Sequence, residues 1–281
     1  RSSRIVWPSA VLAAVVVVGA CASARSAPPV TAPTAAAAAA AAAGPGAPGR
    51  REPRPFRQVV PASARTDAGL FTVHRTDDRL WFEIPDTLFG RELLHISRIA
   101  RVPANLGGFI PAGYAAHEQV LVFQREGGRV LLRRRAYDAV ADEASPIALS
   151  VEANHFDPIV ASFDVAAIGP DSASVVIDVT SFYTGDTHAI SGLSPNQRRD
   201  FGVRRLDDGR SFLNFARSFP QNVDVRVTLT FDAASPPSNA NTATISMEVH
   251  HSMVVLPAVP MRPRHHDPRV GWFTIRQVNY G

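Results

Sequence analysis

The chain of 281 residues is long enough for one large or two ordinary domains, and its 46% apolar and 8% aromatic content is sufficient for a buried core. This composition excludes a wholly disordered protein. The net charge of +4 is unevenly distributed, because residues 1–65 carry eight Arg against Glu52 (+7) while the remaining residues carry 21 Arg against 24 acids (−3). The folded part therefore has no excess of positive charge, which argues against nucleic acid as a partner.

The first 21 residues have the pattern of a lipoprotein signal peptide. Two arginines precede an apolar run at residues 10–20, which is too short to span a bilayer. Residues 18–21 (VGAC) resemble the lipobox of bacterial lipoproteins, in which the cysteine is lipidated and becomes the first residue of the mature protein. We predict export and a lipid anchor on Cys21, at the outer membrane because no Asp follows the cysteine. The alternative is cleavage after Ala24, which gives a soluble periplasmic or secreted protein.

The next stretch, residues 22–65, consists mainly of Ala, Pro, Gly and Arg, with nine consecutive alanines at 35–43. Nine alanines are too few to maintain an isolated helix in water, where about 12 to 15 residues are marginal. We predict a disordered linker that holds a globular body away from the membrane surface.

From residue 66 the pattern of apolar residues changes to the alternation that is typical of half-buried strands. Two hairpins are expected, one from LFTVHR to RLWFEI around the turn TDD and one from EQVLVFQ to RVLLRRRAY around REGG. Further strands are predicted at 147–153 (IALSVEA), 174–182 (SVVIDVTSF), 223–232 (VDVRVTLTFD), 242–256 (TATISMEVHHSMVVL) and 271–278 (GWFTIRQV). The sequence predicts a mainly β body of antiparallel sheets and hairpins that follows a disordered leader and linker.

Helical patterns in the body are brief. Residues 85–90 (PDTLFG) indicate a single turn. Residues 194–201 (SPNQRRDF) begin with Ser as a cap and Pro at the first helical position, which predicts a short helix.

Nine histidines raise the question of a metal site. The H-E-x-x-H motif places two His on one helical face with a Glu able to activate the metal-bound water, and no histidine begins that pattern. His117 and Glu118 come closest, but they lie in a predicted strand and point to opposite faces. The same argument separates His250 from His251, so we predict no metal ligand among them.

Other catalytic constellations are also missing from the sequence. There is no G-x-S-x-G motif, and Cys21 belongs to the leader, so no cysteine nucleophile is left for the body. The carboxylates are numerous, and most are expected to be solvated turn residues. The sequence predicts no catalytic residue and leaves open whether the chain is part of an enzyme.

Four stretches of the body resemble the N-terminal region of secreted bacterial zinc-dependent metallopeptidases of the metzincin-like type. They are residues 69–103 (GLFTVHRTDDRLWFEIPDTLFGRELLHISRIARVP), 174–187 (SVVIDVTSFYTGDT), 210–231 (RSFLNFARSFPQNVDVRVTLTF) and 250–273. The resemblance implies a DUF5118-like segment at 66–105 and a DUF5117-like domain at 106–281, both of which precede the catalytic module in those proteins. It also implies that the catalytic zinc belongs to the downstream module, whose H-E-x-x-H motif is not in this chain.

A pattern of that family covers the histidine pair near the C-terminus. It is satisfied by the following residues: Met261, Arg264, Asp267, Arg269, Val270, Gly271, Trp272 and Phe273. His265 and His266 fall at its unspecified positions, so the resemblance implies that they are incidental and hold no metal. Asp267 is expected to pin a turn with Arg264 or Arg269, and Gly271 to allow a close backbone approach where a strand begins.

Two functions remain open at this stage. The first is a noncatalytic N-terminal part of an exported zinc metallopeptidase, which packs on or positions its own C-terminal peptidase module, needs no cofactor within this chain, and helps to handle a protein or peptide substrate. The second is a stand-alone envelope lipoprotein whose β domain binds a ligand or a partner.

Overall fold

The computed structural model describes residues 52–107, 110–238, 240–262, 264–271, 273 and 275–280. The leader and Cys21 lie outside the described residues. The strands are β1 (Arg65–Asp67), β2 (Thr72–Arg75), β3 (Leu80–Pro85), β4 (Glu92–Arg101), β5 (Ala115–Glu126), β6 (Arg129–Arg134), β7 (Ala139–Val140), β8 (Ile159–Ile168), β9 (Ser174–Asp178), β10 (Val203–Leu206), β11 (Phe212–Ser218), β12 (Asn222–Ala233), β13 (Thr244–Val255) and β14 (Val278–Asn279). The α-helices are α1 (Phe56–Val59), α2 (Ile147–Asn154), α3 (Thr180–Thr184) and α4 (Pro195–Asp200).

The prediction of a mainly β body is confirmed, because twelve of the strands form one antiparallel sheet that closes almost completely into a barrel. The order around it is β1-β2-β3-β9-β8-β6-β5-β4-β13-β12. β12 then pairs with β11 along residues 223–228 and with β10 along residues 231–233. Both expected hairpins are present as β2–β3 and β5–β6. β7 and β14 pair with each other, in parallel, outside this sheet.

The core occupies the inside of the barrel because the strands alternate between apolar and polar residues. In β12, Val223, Val225 and Val227 are buried while the residues between them are half-buried and polar. Phe71 and Phe82 meet inside, with ring centroids 5.2 Å apart, and Phe71 also contacts Phe123 at 5.9 Å. Period-two patterning therefore selects which face of each strand enters the core.

The two ends of the sheet meet at a seam between residues 67–75 and β11. A backbone hydrogen bond joins Leu70 N to Phe219 O at 2.7 Å. The other contacts are made by side chains, since Ser218 Oγ donates to Phe71 O at 2.6 Å and Asp67 Oδ2 accepts from Ser218 N at 3.1 Å. The barrel thus closes through side-chain contacts and one backbone bond, which cover two edges that would otherwise be exposed.

Part of the predicted linker is ordered, which corrects the expectation of disorder up to residue 65. α1 lies on the outer face of the barrel, where Val59 and Val60 are buried against Trp81 and Val176. Arg54 N donates to Ala166 O at 2.9 Å, so an extended segment before the helix is also fixed. The apolar residues of this segment are sparse among Pro and Arg, and the sequence pattern gave no indication that a sheet face would be available to bury them.

The strand predicted at 147–153 is wrong, because these residues form α2. The sequence IALSVEA alternates like a strand but also contains good helix formers, and Pro146 with φ −56° fits the first turn. Among the described strands none pairs with these residues, so no ladder competes with the helix. The strand predicted at 174–182 ends at Asp178, after which α3 begins.

The strand predicted at 271–278 is also corrected, because the described residues of that range are irregular up to β14 at Val278–Asn279. The two brief helical predictions are confirmed. A single 3-10 turn lies at Asp86–Leu88, and α4 has a full capping box in which Ser194 Oγ accepts from Gln197 N and Gln197 Oε1 accepts from Ser194 N.

Within the part of the chain that the structure describes, none of the helices has both the length and the apolar character needed to cross a bilayer.

Candidate functional site

The family pattern near the C-terminus lies in an exposed segment, residues 259–280, which we call the C-terminal segment. Asp267 and Arg269 form an ion pair at a turn, with Arg269 Nε 2.9 Å from Asp267 Oδ1 and Val270 N donating to Asp267 O at 3.0 Å. Arg264 is exposed and has no part in this turn, while Gly271 follows it at φ +69°. The close approach expected at Gly271 is wrong, because no described atom lies within 4 Å of where its Cβ would be, and the described strand that follows begins only at Val278. Hydrogen bonds from Arg269, first from its side chain and then from its backbone, lower the pKa of Asp267.

This ion pair is on the surface, because the Arg269 side chain is 86% exposed and that of Asp267 is 36% exposed. His265 and His266 are exposed as well. The expected turn is thus present, but the partners of the pair are screened by solvent rather than enclosed by the fold.

The apolar members of the pattern are exposed too. Met261, Val270 and Phe273 all lie on the surface, and Phe273 is as accessible as an isolated side chain. The C-terminal segment is held to the rest of the protein through β14, where Val278 N donates to Asp138 O and Tyr280 N donates to Val140 O, both at 2.9 Å. It therefore extends along the surface with its large side chains uncovered.

The segment that receives β14 is an arm of the barrel formed by residues 136–159, which includes β7 and α2. Asp157 fixes its base, because its carboxylate accepts from Ala136 N and Arg135 Nη1, both at 3.0 Å, and its carbonyl accepts from Arg133 Nη1 at 2.9 Å. The guanidinium of Arg133 lies 4.6 Å from the centroid of the Phe156 ring. The arm is thus attached to β6 by charged hydrogen bonds and a cation–π contact, rather than by an apolar core.

A cleft of about 720 Å³ separates the arm from the outer face of β5 and β6. Its apolar lining comes from side chains such as Val122 and Val151, and its polar lining includes Arg133, Glu126 and Glu152. α2 borders this cleft and has no buried residue, while Leu149 and Phe156 are 75% and 72% exposed. A surface helix with large exposed apolar side chains is typical of a contact site.

A second constellation lies inside the barrel, where histidines meet on three neighbouring strands. Strand pairing places His251 of β13 beside Ser97 of β4, and Ser97 beside His117 of β5. His95 lies two residues before Ser97 on the same inner face, and its ring stacks on that of His251 with centroids 5.5 Å apart. We call His95, His117 and His251 the histidine row.

Polar contacts within the row are few. His251 Nδ1 and Ser97 Oγ are 3.1 Å apart, and the ring of Tyr183 lies 5.2 Å from that of His251. Among the described residues, neither ring nitrogen of His95 has a hydrogen-bond partner, and nor does Nε2 of His251. Buried polar groups of this kind favour the neutral form strongly.

The pKa values of the row are shifted in one direction. Burial, and then the charge on His117, lower the pKa of His95 to about 3. Burial and the neighbouring histidines hold the pKa of His251 well below its usual value. Burial also lowers the pKa of His117, an effect that a backbone hydrogen bond with Ser191 opposes and Arg134 reinforces. All three imidazoles are therefore neutral at pH 7.

The residues present do not form a metal centre in the described part of the chain, where no group of three or more His, Cys, Asp or Glu has a suitable arrangement. His250 points to the outer face of β13 while His251 points inward, as the strand pattern predicts. His117 and Glu118 differ in the same way, since His117 is half-buried and Glu118 is exposed.

Comparison with known protein families gives two matches. The model of the domain of unknown function DUF5117 matches residues 113–281, and that of DUF5118 matches residues 53–102. The chain belongs to the DUF5117 family. No curated protein and no solved structure matches it.

The DUF5118 and DUF5117 stretches are interleaved in a single barrel. β3 and β4, from the DUF5118 stretch, pair with β9, β5 and β13 from the DUF5117 domain. The core is continuous across both stretches.

Sequence reasoning missed the histidine row because the search for metal sites compares neighbours along the chain. The row is made by residues of three strands, and its closest members, His95 and His251, are 156 positions apart in number. An available indication was that His95 and His251 each occupy an inward position of an otherwise apolar alternation, between Leu93 and Ile99 in β4 and between Val249 and Met253 in β13.

Proposed function

We propose that this β body is the noncatalytic N-terminal part of an exported zinc-dependent metallopeptidase, and that it packs on and positions a catalytic module of the same protein. The observation that carries the proposal is the uncovered apolar surface of the arm and the C-terminal segment. The sequence supports the proposal because the DUF5118 match at 53–102 precedes the DUF5117 match at 113–281, which is the order that the resemblance implies.

The apolar side chains involved belong to two segments that contact each other through β7 and β14. They are Tyr137, Ile147, Leu149, Phe156, Phe273, Ile275, Val278 and Tyr280, all exposed. Covering apolar area contributes roughly 25 cal/mol per Å², so a few such side chains contribute substantially to holding a neighbouring module. A protein surface is the partner that we propose for them, because isolated soluble domains rarely expose this many large side chains together.

The chemistry of the interior supports a structural role for the body. His95 and His251 are enclosed and neutral, whereas a catalytic base must reach a substrate proton within about 3 Å or through one water. The C-terminal histidines lie on the surface beside an Asp267 that is already bound by Arg269. Zinc and peptide hydrolysis are accordingly assigned to the catalytic module.

We further propose that the body is exported and anchored through lipidated Cys21 at the outer membrane, with the linker between anchor and barrel. The basis is the VGAC sequence at 18–21. A Cys21→Ser variant should appear in the soluble fraction while the natural protein remains with membranes. Natural protein that is soluble in the periplasm and starts at Arg25 would contradict the anchor.

The first test is to continue the coding sequence beyond Gly281. An H-E-x-x-H motif in the same reading frame is expected, whereas a stop codon directly after Gly281 would refute the proposal. The protein that contains the motif should retain stoichiometric zinc after dialysis and hydrolyse casein, and residues 52–281 alone should do neither. Zinc retained by residues 52–281 and lost in His265→Ala/His266→Ala would show that a metal site lies in this chain.

The second test concerns the apolar surface. Residues 52–281 and the catalytic module, expressed separately, should associate, and Leu149→Ser/Phe156→Ser should weaken the association at least tenfold. Phe212→Ser is the matched control, because Phe212 is an equally large exposed side chain on β11, outside the arm. Equal weakening by the control and the double variant would remove the arm as the docking surface.

The alternative is a stand-alone envelope lipoprotein whose β domain binds a ligand or partner. The cleft of about 720 Å³ beside α2 favours it, since its volume is in the range of small-molecule sites. A stop codon after Gly281, together with saturable ligand binding that Val151→Trp abolishes, would support this second function.

A further inference from the structure

The histidine row lies behind a loop that joins α3 to α4, residues 185–193, which we call the plug. Ser191 is buried within the plug, as are Ile190 and Leu193. Gln119 Nε2 donates to Ala189 O at 2.8 Å, and His117 makes a backbone hydrogen bond with Ser191. The plug is therefore bonded to the same strand, β5, that supplies His117.

The fit of the plug on the barrel is close. A Cβ on Gly192 would lie 3.1 Å from Val249 Cγ2 and 2.5 Å from Met247 Sδ. Arg198 of α4 ties the plug to the barrel, because its guanidinium donates to Asp186 Oδ2 at 3.0 Å and to Ser191 Oγ at 2.8 Å and lies 5.1 Å from the ring centroid of the buried Phe231. The plug thus packs against the end of the row that His117 forms, and its outer residues line a surface cleft.

That cleft, of about 750 Å³, brings solvent to one end of the row. Its lining includes His117 and Gln119 from β5, Arg134 from β6, and Asp186 and His188 from the plug. His117 is half-buried, whereas His95 and His251 are enclosed. A proton from the cleft can therefore reach His117 first, because the other two histidines are buried.

We propose that the plug is an acid-sensitive gate, which is closed when the histidine row is neutral and released when the row takes up protons. Among the described residues neither ring nitrogen of His95 has a partner that could accept from a charged ring, and His251 has only Ser97 Oγ at Nδ1. Two cations with centroids 5.5 Å apart would also repel each other. The strands on either side are held by long ladders, interrupted by one register shift between Glu248 and Val249, so the loop is the element that can yield.

The charged and titratable groups around the row do not compensate the positive charge that protonation would place on His95 and His251. They are Tyr183 from α3, Arg134 from β6, Glu118 from β5, Asp186 and His188 from the plug, and His250 on the outer face of β13. Burial raises the pKa of Tyr183, so this neighbour is neutral. Asp186 is bound by Arg198 and lies 3.8 Å from His188. No carboxylate contacts His95 or His251 within the described residues.

The test is hydrogen–deuterium exchange on residues 22–281 at pH 7.5 and pH 5.0, corrected for the intrinsic pH dependence of exchange. We consider a histidine that stays neutral in the closed state and has the ordinary pKa of 6.5 in the open state. Each such histidine should raise the population of the open state about 30-fold between pH 7.5 and pH 5.0. We expect this increase in plug peptides while β12 and β13 stay protected. Equal exchange of the plug at both pH values, or simultaneous loss of protection in β12, would overturn the proposal.

Two variants assign the effect to the row. His95→Gln/His251→Asn removes two of the three titrating rings and should lower the acid-induced increase by more than about 30-fold, which leaves only the contribution of His117. His188→Gln is the matched control, because His188 is an exposed histidine of the plug itself, and it should keep the full increase. An unchanged increase in the double variant would refute the assignment.

A measurement on the natural protein decides the matter if the double variant does not fold. NMR titration of ¹³C-labelled histidines should show His95 and His251 neutral down to the pH at which the plug opens, and protonated together with opening. Protonation of either ring while the plug amides remain protected would contradict the gate. The inference does not depend on the proposed function, since it concerns the isolated body.

Discussion

The barrel and its arm differ in where they place large apolar side chains. In the barrel, Phe71, Phe123 and Phe231 have almost no exposed surface. In the arm and the C-terminal segment, Leu149, Phe156 and Phe273 are largely uncovered. Both regions have comparable apolar residues, so the difference comes from topology: a strand in a closed sheet has a core to face, and a short helix outside the sheet has none.

This difference separates what stabilises the body from what is available for contact. The barrel buries its own core, so its stability should depend on residues that the fold already covers. The arm is attached to the barrel through Asp157 and to the C-terminal segment through β7 and β14, and its apolar side chains contribute little until something covers them. Substitutions should therefore have opposite consequences for stability and association in the two regions.

The largest effect on stability is expected from truncation in the barrel core. Phe231→Ala should lower the free energy of unfolding by about 3–5 kcal/mol, because it leaves a cavity under a fully buried ring. Phe273→Ala, the matched substitution in the C-terminal segment, should leave urea denaturation unchanged. A loss of similar size in both variants would show that the C-terminal segment is packed in solution.

Acid should weaken the barrel next. The pKa of His95 is lowered in the folded state to about 3, so the unfolded chain binds more protons between pH 6.5 and 3, and stability present above pH 6.5 is lost as pH falls through that window. Between pH 7.5 and 5.0 this one residue should cost about 2 kcal/mol, and His251 adds a loss of the same sign. Urea denaturation at a series of pH values measures it.

The variant His95→Gln should flatten this pH dependence, whereas His265→Gln in the C-terminal segment should leave it intact. A pH profile that is identical in His95→Gln and the natural protein would mean that His95 does not titrate in the unfolding reaction.

A smaller loss is expected at the seam. Gly69→Ala should destabilise the barrel by about 1–3 kcal/mol, because the new Cβ would lie 2.7 Å from both the backbone N and O of Phe219. Gly209→Ala is the control, since its Cβ would be 3.4 Å from its nearest described neighbour, Asp207 Oδ1. If thermal melts show equal shifts, the seam is not tightly closed.

The smallest effect should come from the ion pair of the family pattern. Asp267→Ala should not shift the thermal melt of the isolated body, because Asp267 and Arg269 are both on the surface. The double variant His265→Ala/His266→Ala should behave alike, in zinc and in chelator. If only the histidine variant lost thermal stability, and only in the presence of zinc, the chain would contain the metal site that the resemblance argues against.

The barrel strands were predictable because one inner face imposes a two-residue period on each of them, as in β12 and β13. The capped helix α4 was predictable because Ser194, Pro195 and Gln197 are local features. α2 was not, because IALSVEA alternates like a strand, and its helix buries no residue whose spacing could have indicated a helical period. The seam and the ordered segment before residue 65 depend on contacts between distant residues.

The site was less predictable than the fold. The turn at Asp267 follows from local sequence, yet its exposure does not, since burial is a property of the whole molecule. The histidine row required knowledge of which strands are neighbours, because β4 lies between β13 and β5 and not beside its sequence neighbour β3. Sequence patterns identify inward positions, but they do not identify which inward positions meet.

The interleaving of β3 and β4 with strands from the other stretch has a consequence for how the chain can be divided. A cut in the connection between β4 and β5 would separate residues 53–102 from 113–281 without breaking any strand, yet it would leave β4 without β5 and β13 and β3 without β9. Neither fragment could then complete a sheet alone. Each fragment would have unpaired strand edges that can pair only with those of the other fragment. The two fragments should therefore fold when they are produced together, as the halves of a split protein do.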